Sequence, residues 1–254
     1  PVVMNRDVES TFLTEVKGMK VNPIEPVFVD FNKDMQKGKA NGNEILYVKN
    51  VDNGRFNLTY RYNYGRLYDK KAGVTGGFID QLESENRTLS QINREMYDLA
   101  CNYYISFGDK YASVSISGLS ENMEKAMAIV EDILNHPKIS QESVNNSISD
   151  VLLSRQDAKS RQNSIFQKML SYALYGKDNV RKYFVTNDEL QKITAQDVIN
   201  QIKTMTSQPQ RILYYGDLNL ADLQKVVADK HSVHPAKKPL KMGPDYDYLA
   251  TKDN

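Results

Sequence analysis

The chain has 254 residues, enough for one large domain or two small ones with a substantial core. Its 33 lysines and arginines against 32 aspartates and glutamates give a net charge of +1, which argues against nucleic acid or anionic membranes as ligands. No apolar run approaches the roughly 20 residues that a membrane-spanning helix needs, so the sequence predicts a soluble protein.

The start of the chain and its cysteine content bear on where the protein works. The first ten residues have no starting methionine and no signal-peptide layout, so we expect a fragment of a longer protein whose targeting signal is not visible. Cys101 is the single cysteine, which rules out an intrachain disulfide and leaves the redox compartment open. The location is unknown from the sequence, with a bacterial cell-envelope or periplasmic site among the alternatives.

The two flanks of the chain differ from its middle. Residues 1–40 are predicted to be an interdomain connector with a short helix, because apolar residues recur at helical spacing at Val8, Phe12 and Val16. Pro23 and Pro26 then break this pattern. Residues 234–254 are rich in proline, lysine and aspartate without any period, which predicts an exit linker toward a following domain. Residues 41–233 form the predicted globular domain.

Alternation of apolar and polar side chains predicts the strands of this domain. Residues 43–50 and 55–65 are predicted to form a hairpin around an Asn-Gly turn. The second of these strands carries an alternating apolar set, namely Phe56, Leu58, Tyr60, Tyr62 and Tyr64. Another hairpin is predicted to turn at Gly108, and residues 211–219 supply a last strand. We interpret the tyrosine stripe as half-buried core rather than as a binding ladder.

Capping residues and apolar stripes predict the helices. Residues 73–88 are predicted to be a short helix, in which Gly76 and Gly77 are interpreted as permitting close packing on the sheet. Thr88 and Ser120 are predicted N-caps of the next two helices. Further helices are expected in 140–176 (one long helix or a broken pair that ends at Gly176), 186–205 and 220–231.

Together these elements predict an α+β fold. The order is two strands, two helices, two strands, several helices, one strand and one helix. We therefore expect a mainly antiparallel sheet of about five to six strands with helices packed on one face, which is a two-layer sandwich.

Few residue patterns point to catalysis. His136 lies at a helix end, and His231 and His234 are separated by two residues without a neighbouring carboxylate or thiol, which favours a structural role over a metal site. Cys101 follows a helical apolar face, which is typical of a buried inert thiol. No Walker, Gly-x-Gly-x-x-Gly or Gly-x-Ser-x-Gly pattern is present.

Several phrases follow one another in order over about residues 41–233, namely NEILYVKN with FNLTYRYNYG, AGVTGGFIDQLESENRTLSQINREMYDLACNY, ASVSISGLSENMEKAMAIVEDIL, HPKISQESVNNSISDVLLSRQ, LYGKD and ILYYGDLN. Their order and spacing resemble one domain of the insulinase/pitrilysin family of zinc metallopeptidases. The resemblance implies an insulinase-type α+β domain, one of several that are arranged as two halves around an unfolded peptide. It also implies that catalysis belongs to the first domain, where His-x-x-Glu-His and a later glutamate supply the zinc ligands and the general base.

The chain departs from the family's zinc pattern. The matching positions run from Gly77 to Leu82 and contain no histidine, and Asp150 is the only acid between Ser143 and Ser154 on the helix of the third ligand. By resemblance we therefore expect no catalytic residue, metal ligand or cofactor in this chain, and zinc in the catalytic domain of the parent protein. Three acids are interpreted as solvated residues near a helix end, namely Asp80, Glu83 and Glu85.

The resemblance implies a function for the parent protein. The flanks fit the third of four domains, in a zinc-dependent metalloendopeptidase that acts on peptides or unfolded polypeptides. The chain is then expected to form chamber wall and to dock on the catalytic half, in the same chain or in a partner subunit. The alternative is a structural or assembly subunit of the same fold with no peptidase activity.

Two further hypotheses stay open at the level of sequence. One is an autonomous metal enzyme that uses His231 and His234. The other is strand addition, in which residues 56–65 or 112–118 lie at a sheet edge and pair with an extended peptide.

Overall fold

A computed structural model describes residues 9–23, 25–26, 28 and 30–249. The chain divides into two compact units, residues 1–31 and 32–254. The first unit contains helix α1 (Thr11–Gly18), whose N-cap Ser10 accepts a hydrogen bond from the Leu13 backbone at 3.2 Å. The short helix predicted there is confirmed, although Val8 lies outside the described residues.

The second unit is built on one six-stranded sheet. Its strands are β1 (Gln36–Ala40), β2 (Asn43–Lys49), β3 (Arg55–Tyr62), β5 (Cys101–Phe107), β6 (Ala112–Leu119) and β8 (Gln210–Gly216). The order across the sheet is β1-β2-β8-β3-β6-β5, and every pairing except β2 with β8 is antiparallel. The predicted hairpin of residues 43–50 with 55–65 is therefore wrong: both strands form, but β8 lies between them and pairs with each. Two short strands, β4 (Glu83–Ser84) and β7 (Pro137–Lys138), pair separately.

One face of the sheet is buried. In β3, Phe56, Leu58, Tyr60 and Tyr62 are nearly inaccessible, whereas Asn57 and Arg61 are exposed on the other face. The tyrosine stripe is therefore core, as its alternation predicts.

Strand β1 lies inside the range predicted as connector. Its residues QKGKA carry lysines and no apolar alternation, so the sequence shows no strand signal there. The strand forms because it pairs with β2 and packs against the last helix, where a Cβ on Gly38 would lie 2.9 Å from the Leu220 side chain. The division of the chain into connector, domain and exit linker stays a prediction.

Eight helices accompany the sheet in the described part of this unit. They are α2 (Ala72–Thr75), α3 (Leu89–Asp98), α4 (Met123–Asn135), α5 (Gln141–Asp157), α6 (Gln162–Arg181), α7 (Asn187–Leu190), α8 (Ala195–Thr206) and α9 (Leu220–Lys230). Helix α4 packs against β5 and β6, and α9 packs against β1. Helix α6 is interrupted at Gly176, where φ is +74°, as the predicted glycine stop requires. The predicted α+β fold, with a mainly antiparallel six-stranded sheet, is confirmed.

Of the two N-caps named from the sequence, one is present and the other is not. Thr88 and Gln91 form a reciprocal capping box at the start of α3, as their spacing predicts. Ser120 is not an N-cap, because it begins a 3₁₀ turn (Ser120–Asn122) and its buried hydroxyl has no hydrogen-bond partner. Helix α4 begins only at Met123, since the 3₁₀ turn delays its first α-helical hydrogen bonds.

The last described residues form no helix or strand but lie on the body of this unit. The Gly243 N–H donates to the Leu67 carbonyl at 2.7 Å, and the Leu249 N–H donates to the Leu174 carbonyl at 2.7 Å. The Arg66 guanidinium lies 5.7 Å from the centre of the Tyr246 ring.

Candidate functional site

The segment of residues 73–88 is not the continuous helix that the sequence predicts. Helix α2 ends at Thr75, a 3₁₀ turn covers Ile79–Gln81, and β4 follows at Glu83–Ser84. The backbone tightens to hydrogen bonds between residues three apart, for example from the Phe78 N–H to the Thr75 carbonyl at 2.9 Å. The glycine pair disfavours helix propagation, and the fold instead buries Phe78 and Leu82 completely.

No close packing on the sheet depends on Gly76 or Gly77, contrary to their interpretation from sequence. A Cβ on Gly76 would meet nothing within 4 Å, and a Cβ on Gly77 would lie 3.6 Å from the Val151 side chain of α5, an ordinary contact. This distance places Gly77 close to α5. The two elements meet through apolar atoms, and Asp150 on the same helix is exposed.

The acids of this segment differ in role. Asp80 and Glu85 are exposed, as predicted. Glu83 is not simply solvated, because its carboxylate accepts a hydrogen bond from the Leu89 N–H at 3.0 Å and lies 3.8 Å from Lys138. It therefore caps the first turn of α3.

Asp132 on α4 collects hydrogen bonds from several surrounding side chains. Its carboxylate accepts from Ser84 at 2.7 Å, Asn86 at 2.6 Å and Arg87 at 2.6 Å, and it lies 3.2 Å from the His136 ring. Burial alone would raise the pKa of Asp132, but these hydrogen bonds hold it below its ordinary value. The His136 ring is therefore within hydrogen-bond distance of a carboxylate one helical turn away.

His231 and His234 have different surroundings. His231 is 3% exposed, whereas His234 is exposed. The His231 Nδ1 lies 2.6 Å from Glu131 Oε1, and its Nε2 lies 2.8 Å from the Gln210 amide nitrogen. Because the amide donates to Nε2, Nδ1 carries the proton and donates to the carboxylate. Both ring nitrogens are therefore engaged inside the protein, and this pattern does not favour a metal site shared with His234.

The sequence reasoning missed Glu131, which completes this buried network. The Tyr60 ring stacks on His231 with ring centres 3.9 Å apart, and Ser232 N–H donates to the second Glu131 oxygen at 3.0 Å. Burial, and then the Glu131 carboxylate, raise the pKa of Tyr60 well above its ordinary value. A sequence signal existed, because Glu131 follows Met127 by four residues and precedes Leu134 by three, on the buried face of the helix.

The described residues support neither a reactive Cys101 nor a metal site. Cys101 is 2% exposed, and burial raises the pKa of its thiol, which disfavours the reactive thiolate. Among the residues that the structure describes, no group of three or more His, Cys, Asp or Glu side chains is arranged to hold a metal ion. Within the same residues, none of the helices combines the length and apolarity that a bilayer-spanning segment requires.

The strands suggested for peptide addition are not at a sheet edge. Strand β3 lies between β8 and β6, and β6 lies between β3 and β5. The prediction is wrong because β8 returns from far along the chain to pair with β3, and local alternation carries no information on such a pairing. The edge strands are β1 and β5.

A wide surface groove lies between α5 and α6. It has a volume of about 1110 Å³, and residues 184 and 186–188, at the start of α7 and just before it, also line it. Lysine and arginine side chains predominate among its charged lining residues, which are Arg155, Lys159, Lys168, Lys177, Arg181 and Asp188.

Comparison with known proteins gives a match in structure and none in sequence. No protein-family model matches this chain, and no curated protein matches it. The periplasmic protease PqqL from Escherichia coli superposes with a TM-score of 0.71 at 14% identity, over 93% of this chain and 29% of that one. The ferredoxin protease FusC, solved with Arabidopsis ferredoxin, gives a TM-score of 0.72 at 12% identity, over 98% of this chain and 28% of that one.

A third solved structure is a peptidase M16 inactive domain from Pseudomonas fluorescens. It superposes with a TM-score of 0.69 at 17% identity, over 82% of this chain and 52% of that one. The fold is therefore that of peptidase M16 proteins, which are the insulinase/pitrilysin family, and the predicted likeness is confirmed at the level of the fold. The chain spans less than a third of the length of the two proteases.

Proposed function

We propose that the chain is a non-catalytic domain of a zinc-dependent metalloendopeptidase of the insulinase/pitrilysin family. The observation that carries the proposal is the segment at the family's zinc position. By the resemblance it corresponds to the zinc-motif helix of active members, yet it is an interrupted helix without any histidine. The residues present do not fit zinc, so the catalytic metal would belong to another domain of the parent protein.

The share of each relative that the chain covers supports a role within a larger protein. The chain matches 29% of the E. coli protease and 28% of the ferredoxin protease, which leaves room in such proteins for a separate catalytic part. A position as the third domain in a protein of four domains would fit this proportion. The likeness to an M16 domain that is inactive supports a role without catalysis. A periplasmic location, like that of the E. coli protease, is part of the same proposal.

Docking on the catalytic half has a candidate surface on α6. Phe166, Leu170 and Leu174 follow one another at four-residue spacing and form the α6 outer stripe, with 58%, 41% and 39% exposure. Three large apolar side chains on one exposed helix face are typical of an interaction surface. The occupant we propose is the catalytic half, in the same chain or in a partner subunit, and the pair would enclose a peptide substrate.

The experiment that tests the proposal uses the full-length parent protein. We expect zinc-loaded parent to cleave an unstructured peptide, to lose cleavage with a chelator and to regain it when zinc is restored. The present chain alone should cleave nothing under the same conditions. If the zinc-loaded parent does not cleave, the alternative function as a structural or assembly subunit replaces the proposal.

Docking is tested separately by co-purification of the chain with the catalytic half. Phe166→Asp with Leu170→Asp should abolish co-purification, because burying two carboxylates in an apolar interface is strongly unfavourable. Tyr97→Asp is the matched control, since Tyr97 is an exposed ring on α3, away from α6. Retained co-purification of the double variant would contradict the α6 outer stripe as the docking surface.

A further inference from the structure

The groove between α5 and α6 is lined by an excess of positive charge, although the chain as a whole is nearly neutral. Five of its lining side chains are basic (Arg155, Lys159, Lys168, Lys177 and Arg181), and Asp188 is the one acid among the lining residues. The whole chain carries a net charge of only +1, so this concentration is local. Like charges brought together in one concave surface raise the potential there and attract anions.

Most of these cations are not neutralised by the protein. Lys159, Lys168, Lys177 and Arg181 form no ion pair with any residue that the structure describes. Arg155 donates to the uncharged Asn187 amide at 2.7 Å. An anionic ligand would therefore find free donors and would not have to displace a protein carboxylate.

Apolar side chains lie next to the groove, on the face of α6 that carries its lining residues Lys168 and Tyr172. One face of α6 carries Ile165 and, three, four and seven residues after it, Lys168, Met169 and Tyr172. Ile165, Met169 and Tyr172 are 41%, 65% and 59% exposed. A ligand that fits this surface carries apolar groups as well as negative charge.

The mixture of side chains favours a polypeptide over a nucleic acid. Single-stranded nucleic acids bind on aromatic rings that stack with bases, and here Tyr172 is accompanied by the aliphatic Ile165 and Met169. One face of the Phe184 ring is covered by the Arg155 guanidinium, 4.6 Å from the ring centre. The volume of about 1110 Å³ exceeds the range usual for small-molecule sites and suits several residues of an extended chain.

We propose that the groove between α5 and α6 binds an extended acidic polypeptide segment that carries apolar side chains. Carboxylates of the segment pair with the unneutralised lysines and Arg181, and its apolar side chains lie on Ile165, Met169 and Tyr172. The proposal concerns binding by this chain and holds whether or not the parent protein cleaves peptides.

The test measures binding of fluorescent unstructured peptides to this chain by anisotropy. A peptide that alternates glutamate with leucine is expected to bind, and the same peptide with lysine in place of glutamate is expected not to bind. Binding should weaken as salt is added, because the pairs are solvent-accessible. Equal binding of both peptides, or tighter binding of a single-stranded oligonucleotide, would overturn the proposal without any variant.

Charge-reversal variants locate the site. Lys159→Glu, Lys168→Glu and Arg181→Glu together should weaken binding of the acidic peptide by about tenfold or more, since three attractive pairs become repulsive. The matched control is Lys37→Glu, Lys125→Glu and Lys203→Glu, three exposed lysines outside the groove with the same change in net charge. An equal loss in both triple variants would overturn the assignment to the groove.

A second pair of variants tests the apolar part. Met169→Ser with Tyr172→Ser should weaken binding of the glutamate-leucine peptide and leave the weaker binding of a glutamate-serine peptide unchanged. Tyr97→Ser is the control for loss of an exposed ring. Equal effects on the two peptides would contradict an apolar contact in the groove.

Discussion

Among single residues, Glu131 and His231 join two helices of the second unit through a buried hydrogen bond. Glu131 lies on α4, and His231 is the residue that follows α9. Their side chains are 8% and 1% exposed, so water cannot replace the contact. A buried carboxylate is costly unless hydrogen bonds satisfy it, and here the His231 ring and the Ser232 N–H do so.

Removal of this carboxylate should destabilise the fold. We expect Glu131→Ala to lower the free energy of unfolding by about 2–3 kcal/mol, because the buried His231 N–H loses its acceptor. Glu131→Gln keeps one acceptor oxygen and should lose less. Urea unfolding measures both, with Glu124→Ala on the exposed face of α4 as the control. A Glu131→Ala loss no larger than that of the control would show that the pair does not stabilise the protein.

A second residue, Asp197 in the capping box of α8, makes stability depend on pH. Hydrogen bonds from the Thr194 backbone, the Lys71 ammonium and the Thr194 hydroxyl lower the pKa of Asp197 from 3.8 to about 2. Because the folded pKa lies below the unfolded one, this stabilisation is present above about pH 4 and is lost as the pH falls toward about 2.

The expected result is a pH-dependent difference in melting temperature. Asp197→Asn should melt at a lower temperature than the unchanged chain near neutral pH, and the difference should shrink between about pH 4 and about pH 2. Asp150→Asn removes an exposed carboxylate from α5 and serves as the control. A difference that stays constant over this interval would contradict the role of the ionised cap.

At the scale of elements, the fold requires some glycines and not others, as Gly76 after α2 and Gly118 on β6 show. Gly76 has helical angles, with φ −53° and ψ −29°, and no neighbour that a Cβ would contact. Gly118 on β6 has φ +156°, and a Cβ there would lie 2.5 Å from the Cys101 sulfur and 2.6 Å from the Ala100 carbonyl oxygen. Strand packing requires the second glycine, and nothing in the fold requires the first.

The two glycines should therefore respond oppositely to alanine. Gly76→Ala is expected to raise the free energy of unfolding by about 0.4–1 kcal/mol, because alanine restricts the unfolded chain at a compatible position. Gly118→Ala should lower it by about 1–3 kcal/mol through overpacking against β5. Urea unfolding measures both changes. Destabilisation by Gly76→Ala would restore the interpretation that this glycine permits close packing.

For the whole molecule, the fold is that of peptidase M16 proteins, and the described residues offer no donor set for a metal ion. The described residues contain no suitable cluster of three ligands, and both ring nitrogens of His231 are hydrogen bonded within the protein. A ligand stabilises a protein only when it binds the folded state more tightly than the unfolded state.

Zinc in molar excess should consequently leave the melting temperature of this chain unchanged. Titration calorimetry should show no stoichiometric binding, and dialysis should remove the metal. His136→Ala with His234→Ala is the control for weak binding to the two exposed histidines. One zinc ion retained through dialysis, with a raised melting temperature, would contradict the prediction.

Local patterns in the sequence determined many of the elements. Alternating apolar residues predicted β2, β3, β5, β6 and β8, and capping residues predicted the start of α3 at Thr88. These signals succeed because side-chain period and capping act over a few neighbouring residues. The phrase order also pointed to the insulinase-type fold.

Tertiary structure decided the features that depend on distant partners. Strand β1 forms only because β2 pairs with it, and β8 is inserted between β2 and β3 by a pairing across most of the chain. Glu131 meets His231 one hundred residues away, and the basic groove arises because residues of α5, α6 and the start of α7 line one concave surface. Sequence periodicity specifies which face of an element is apolar, whereas which element covers that face follows from packing the whole chain.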